Sequence, residues 1–119
     1  MGTSYLIHFT NPAEGREDEY NDWYSNRHIK DVVGLDGFAA AQRFAFTPAN
    51  VAAESPYRYL AIYEATGNIA AAEADLAAAG AERKEAVAAG REPKVPISDA
   101  LGAGSMTLWF TSITDRVSS

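Results

Sequence analysis

Tyr24 and His28 stand four residues apart in the stretch NPAEGREDEYNDWYSNRHIKD, residues 11–31. On a helix, side chains four apart meet on one surface. An imidazole titrates near neutral pH and can take a proton and return it. A tyrosine hydroxyl one turn earlier can donate to a carbonyl oxygen on which negative charge develops. The pair therefore fits acid/base chemistry on a small molecule, with His28 as base and then acid and Tyr24 as oxyanion donor. Structural roles compete with this: a helix-end histidine bonded to a carbonyl or to water, and an aromatic packed on a sheet with its hydroxyl satisfied. Trp23 and Tyr20 read as core or pocket wall.

Arg43 lies among Phe, Ala and Gln in FAAAQRFAFT, residues 38–47. A buried charge needs a partner. An ion pair with Asp31 or Glu64 is one solution; bidentate capture of a substrate carboxylate or phenolate is the other. His8, the second of two histidines, sits in TSYLIHFT, residues 3–10. Strand alternation puts it on the face opposite Tyr5, Ile7 and Phe9. The triplet is expected to line the substrate pocket, with His8 on the other face. Tyr59 and Tyr63 share a strand face and read as packing. No metal site is expected, because the histidines and carboxylates lack ligand spacing. There is no phosphate loop or dinucleotide fingerprint, and no cofactor is expected.

Residues 3–10 read as a strand that ends at the turn signal Asn11-Pro12. Residues 15–29 read as a helix, with Glu17, Asp18 and Glu19 at the positive end of its dipole. At about 100° per residue, Tyr20, Trp23, Tyr24, Arg27 and Asp31 share one face, with His28 at its edge. Asp18, Asn21, Asp22 and Ser25 form the wet side. Residues 32–37 break the helix. Strands follow at 38–47 and 57–65, with a loop from Pro48 to Pro56 between them. Residues 69–89 are helical, and Gly80 is expected to divide them. Residues 90–104 form an irregular connection of a length usual for functional or mobile loops. Residues 105–114 form the last strand.

The order β-α-β-β-α-β predicts a ferredoxin-like α+β fold, a four-stranded antiparallel sheet with both helices on one face. The strands, however, are apolar on both faces. Leu60 and Ile62 alternate with Tyr59, Ala61 and Tyr63; Met106, Leu108 and Phe110 alternate with Thr107, Trp109 and Thr111. A half-solvated sheet alternates apolar with polar, so a second subunit is expected to cover the free face, giving a homodimer.

A length of 119 residues fits one domain, residues 1–119. A net charge of −6 without a basic cluster disfavours nucleic acid. The absence of cysteine excludes disulfides and a thiolate nucleophile. No apolar run approaches a membrane span, and no signal peptide is seen, so a cytoplasmic protein is expected.

The stretch NPAEGREDEYNDWYSNRH, with GFAAAQRF and YLAIYE after it, resembles the EthD-like and REDY-like members of the dimeric α/β-barrel superfamily. The resemblance covers most of the chain in element order and is most specific over residues 11–46. It implies a barrel built from two subunits' sheets, with substrate held between the sheet and the helices of each. It selects Trp23, Tyr24, His28 and Arg43. Relatives often have proline where this chain has Lys30 and Asp36. The further histidine of olivetolic-type cyclases, beyond the third strand, has no counterpart, since none follows His28. The superfamily includes polyketide cyclases, small isomerases, cofactor-free monooxygenases and haem-degrading enzymes; one histidine could ligate iron, but nothing in this sequence asks for haem. The expected function is a cofactor-independent cyclase, isomerase or lyase acting on an aromatic or polyketide-like small molecule. A non-catalytic binding or accessory protein and a cofactor-free monooxygenase are the alternatives.

Overall fold

The computed structural model describes residues 2–49 and 54–119. Part of the expected 48–56 loop, residues 50–53, lies outside the described residues. The chain runs through β1 (Ser4–Thr10), α1 (Glu17–Trp23), a π-helical turn (Tyr24–His28), α2 (Ile29–Val33), β2 (Phe38–Ala45), β3 (Tyr59–Ala65), α3 (Ile69–Ala88) and β4 (Met106–Thr111). The first three helical segments follow without a break, so residues 17–33 form one rod. The architecture is the expected α+β arrangement in βαββαβ order, an antiparallel sheet with strand order β2-β3-β1-β4.

The register sets the site. His8 lies opposite Ala61 on β3 and Thr107 on β4, and Ala61 in turn lies opposite Arg43 on β2. Alternation then places Leu6, His8, Arg43, Tyr63 and Trp109 beneath the helices. Tyr5, Ile7, Phe9, Phe44, Ile62 and Leu108 point the other way. This reverses the expectation for β1: the triplet Tyr5, Ile7 and Phe9 does not line a pocket under the helices, and His8 does. The small neighbours Ala61 and Thr107 leave room for the imidazole under the rod. The apolar triplet instead joins the apolar residues of the free face.

That free face is open. Phe44, Leu108 and Phe110 are 42%, 38% and 56% exposed, all on the side away from the helices. The covered side holds the core, where Tyr20, Tyr24, Tyr63 and Ala61 are buried.

α3 runs unbroken through Gly80. The Asn68 side chain caps it, accepting from the Ala71 amide at 2.8 Å. Such a cap stabilises by about 1 kcal/mol, enough to offset the roughly 1 kcal/mol that a mid-helix glycine costs. Its first turn packs closely on Gly37, where an added Cβ would come within 2.9 Å of the Ala72 Cα. The 90–104 connection is tied to the segment before α1. Ala13 donates to the Ala100 carbonyl at 2.7 Å and Gly102 to the Asn11 carbonyl at 2.8 Å. Val95 and Ala100 are buried, so this stretch is a wall of the fold. Among the described residues no helix is long and apolar enough to cross a membrane.

Candidate functional site

The buried residues of the rod are Tyr20, Tyr24, His28 and Val32, a strict spacing of four. In a regular α-helix each step of four drifts about 40°, so three steps would carry His28 and Val32 off the face. The π turn over Tyr24–His28 absorbs the drift by widening one turn. His28 therefore comes from the edge to the centre of the buried face and is 6% exposed. Arg27, expected on that face, is turned out to pair with Asp31 and Glu92, both at 2.9 Å.

The His28 ring is held by aromatic neighbours. Trp23 stacks on it at 4.6 Å with 27° between planes, and Tyr24 meets it edge-on at 4.9 Å. No hydrogen bond reaches either ring nitrogen from the described residues, and Nδ1 is closed off without a partner. Burial is the main reason its pKa falls, to about 4, and the charges of His8, Arg83 and Arg43 lower it further. His28 is thus a neutral imidazole at pH 7. His8 is lowered too, by burial.

Beneath the rod, the Tyr24 hydroxyl lies 2.8 Å from the Tyr63 hydroxyl and 3.4 Å from His8 Nδ1. Burial is the main cause that raises both phenols, Tyr24 to about 12. Both remain protonated donors over the ordinary pH range. A cavity of about 210 Å³ opens beside them, between the sheet, the rod, α3 and the 90–104 stretch. His28, His8 and Tyr63 line it, together with Leu76, Arg83 and Val95. Tyr24 stands behind this lining and holds Tyr63 and His8. Tyr63 and His8 are the functional candidates that alternation alone did not single out. Among the described residues no group of three or more His, Asp or Glu side chains could hold a metal ion.

Arg43 serves a different neighbourhood. Its guanidinium donates to Ser25 Oγ at 2.7 Å and Asn21 Oδ1 at 3.0 Å. It lies over the Tyr24, Tyr20 and Tyr59 rings, 4.5–5.3 Å from their centroids. The expected pairs with Asp31 or Glu64 do not form, because cation–π contacts and neutral acceptors hold it instead. Tyr20 is fully buried and bonded to Thr10. The Arg43 cluster clamps the rod to β2, with Arg43 Nε buried and without a partner among the described residues, while the cavity lies on the β1–β4 side. Of the residues expected to act together, the structure joins His28, Tyr24 and Trp23 around one ring, sets Arg43 and Tyr20 beyond Tyr24, and puts Tyr5, Ile7 and Phe9 on the far face.

No protein-family model and no curated protein sequence matches the chain. Solved structures do. An EthD-like protein from Ralstonia eutropha JMP134 superposes with a TM-score of 0.57 at 13% identity, over 98% of this chain and 97% of the other. An EthD family protein from Bacillus halodurans C-125 gives 0.55 at 13% identity, over 93% of this chain and 99% of the other. A monooxygenase from the gene ActVA-Orf6 of Streptomyces coelicolor, solved with the ligand nanaomycin D, gives 0.55 at 15% identity, over 99% of this chain and 93% of the other. At 13–15% identity over nearly the whole of each chain the likeness is one of fold: the chain has the fold of these EthD-like proteins and of the Streptomyces coelicolor monooxygenase.

Proposed function

We propose that this chain is a cofactor-independent enzyme that removes a proton from an aromatic or polyketide-like small molecule held between sheet and helices, with His28 as the base. The observation that carries this reading is the His28 ring itself, buried, unpartnered and set in the wall of a cavity. Nδ1 is closed off, so a proton taken from a substrate in the cavity would go to Nε2. The lowered pKa leaves the ring in its basic form. Charging it becomes favourable once the substrate, having given up its proton, is an anion beside it. The Tyr63 hydroxyl, positioned by Tyr24, would donate to the oxygen that gains charge. Cyclisation, isomerisation and a lyase step all begin with this proton transfer.

A second reading shares that first step and sends the resulting anion to react with oxygen. The Streptomyces coelicolor neighbour, a monooxygenase with nanaomycin D bound, favours it. The homodimer belongs to the same proposal: the exposed apolar sheet face is the surface a second copy would cover.

The test begins with a thermal-shift screen of aromatic and polyketide-like compounds, followed by turnover of the hits. His28→Ala is expected to abolish turnover while the helical and sheet content stays. Full activity in that variant removes His28 from the mechanism. Oxygen uptake with substrate selects the oxygenase reading. Tight binding with no turnover in the wild type selects a binding protein.

A further inference from the structure

In an acidic protein the cavity holds one fixed positive charge. The chain carries 16 acidic against 10 basic residues, yet no Asp or Glu lines the cavity, while Arg83 does, beside the neutral His28. Arg83 reaches it from α3, where Leu76, Ala79 and Arg83 repeat at helical spacing along its wall. Its guanidinium is half-buried and makes one hydrogen bond, Nη1 to the Val95 carbonyl at 2.6 Å. Among the described residues it has no carboxylate partner. The neighbouring Glu82 is taken by Arg91 and by the Lys94 amide. A half-buried guanidinium whose remaining donors lack an anion, beside an unpartnered buried imidazole, is an incomplete ion pair. A carboxylate matches the planar fork of the guanidinium.

Volume limits the rest of the ligand. A cavity of about 210 Å³ exceeds the roughly 150 Å³ that holds benzene and falls short of the range typical for drug-sized ligands. One substituted ring fits within it; a fused multi-ring skeleton would extend beyond its mouth.

We propose that Arg83 is the anion anchor of this cavity and that its ligand is a single-ring aromatic carboxylate, oriented with the ring against His28 and Tyr63. This rests on the reading of the His28 cavity as the site and narrows its substrate class. Arg43 does not compete for the role, because Ser25, Asn21 and three tyrosine rings occupy it.

Benzoate and benzamide, alike in size and differing in charge, are the probes. Calorimetry gives their affinities, and the His28 imidazole proton signals in NMR report whether the probe sits in the cavity. Benzoate is expected to bind about tenfold or more tightly than benzamide, with both probes shifting His28. Arg83→Gln keeps a donor for the Val95 carbonyl and is expected to erase the benzoate preference, weakening benzoate about tenfold or more and benzamide by less. Arg83→Lys is expected to restore part of the preference. Equal affinities in the wild type, with His28 shifted by both probes, overturn the anchor alone and leave the site standing. A benzoate preference that survives in Arg83→Gln also overturns it. If neither probe moves His28, the cavity reading falls together with the anchor.

Discussion

At the scale of single residues, the state of His28 decides what this site can do. It is packed between Trp23 and Tyr24 and faces His8 on β1, Tyr63 on β3, Arg83 on α3 and, farther off, Arg43 on β2. Burial, with the charges of His8, Arg83 and Arg43 beside it, holds its folded pKa below the ordinary value, at about 4. The unfolded chain therefore binds the proton first on acidification, and stability falls as pH drops from about 6.5 toward 4. The contribution is fully present above 6.5, and its size is on the order of 3 kcal/mol. His8, shifted in the same direction, adds to the loss. The lowered carboxylates Glu82 and Asp99 act only at lower pH, near and below their own ordinary values. Thermal melting between pH 7 and pH 4.5 is expected to show a drop that shrinks in His28→Gln. An equal drop in that variant would mean that His28 is not the group titrating. The sequence made this residue legible as a candidate through its spacing from Tyr24. It said nothing of His8 beyond the face it could not share with Tyr5, Ile7 and Phe9; which face met the helices depended on strand register, and the pairing of His8 with Ala61 and Thr107 settled it.

At the scale of elements, the π turn is the feature that the sequence did not disclose. A strict α-helical wheel puts Arg27 inside and His28 at the edge; the observed rod reverses them. Widening a turn gives up regular i→i−4 hydrogen bonding, and such bulges recur at functional positions. Deleting the exposed Asn26 removes the extra residue and restores regular helix. The shortened rod still presents Tyr20, Tyr24 and the two following buried residues at α-helical spacing, so folding is expected to survive with a melting temperature equal or higher. His28 would then sit closer along the axis to Tyr24 and out of line with Tyr63, and turnover is expected to fall about tenfold or more, as misplacement near 1 Å can cost. Undiminished activity in the deletion would show that the π turn serves packing alone. α3 illustrates the other limit on legibility. Its alanines carry almost no pattern, so nothing in the sequence marked Arg83 as distinct from Lys84 or Arg91; only the docking of α3 over the sheet separates the residue that meets the cavity from those that meet water. The strands, short runs rich in β-branched and aromatic residues with turn residues at their ends, were legible to within a few residues.

At the scale of the molecule, the unresolved balance is between two layers and an open sheet. The helices bury one face of the sheet, and the other presents Phe44, Met106, Leu108 and Phe110 at 38–56% exposure, with Ile7 and Ile62 between them. Contiguous apolar patches on this scale mark association surfaces. The absence of clean polar alternation in YLAIYEA and MTLWFT already pointed to a cover for this face, because large apolar side chains occur in both sets of each strand. A second copy packed sheet against sheet, as proposed, would supply that cover and would also account for Tyr5, Ile7 and Phe9, which have no role under the helices. Light scattering at micromolar concentration is expected to give twice the chain mass of 12.8 kDa. Leu108→Lys and Ile62→Lys place a charge in the proposed contact without touching the His28 cavity, which lies on the opposite face. Each is expected to shift the population to monomer while the far-ultraviolet circular dichroism stays native, because both side chains lie on the open face, opposite Ile7 and outside the buried core. A wild-type protein that scatters as a monomer, or a Leu108→Lys variant that remains fully dimeric, would remove the second copy as the cover of this sheet.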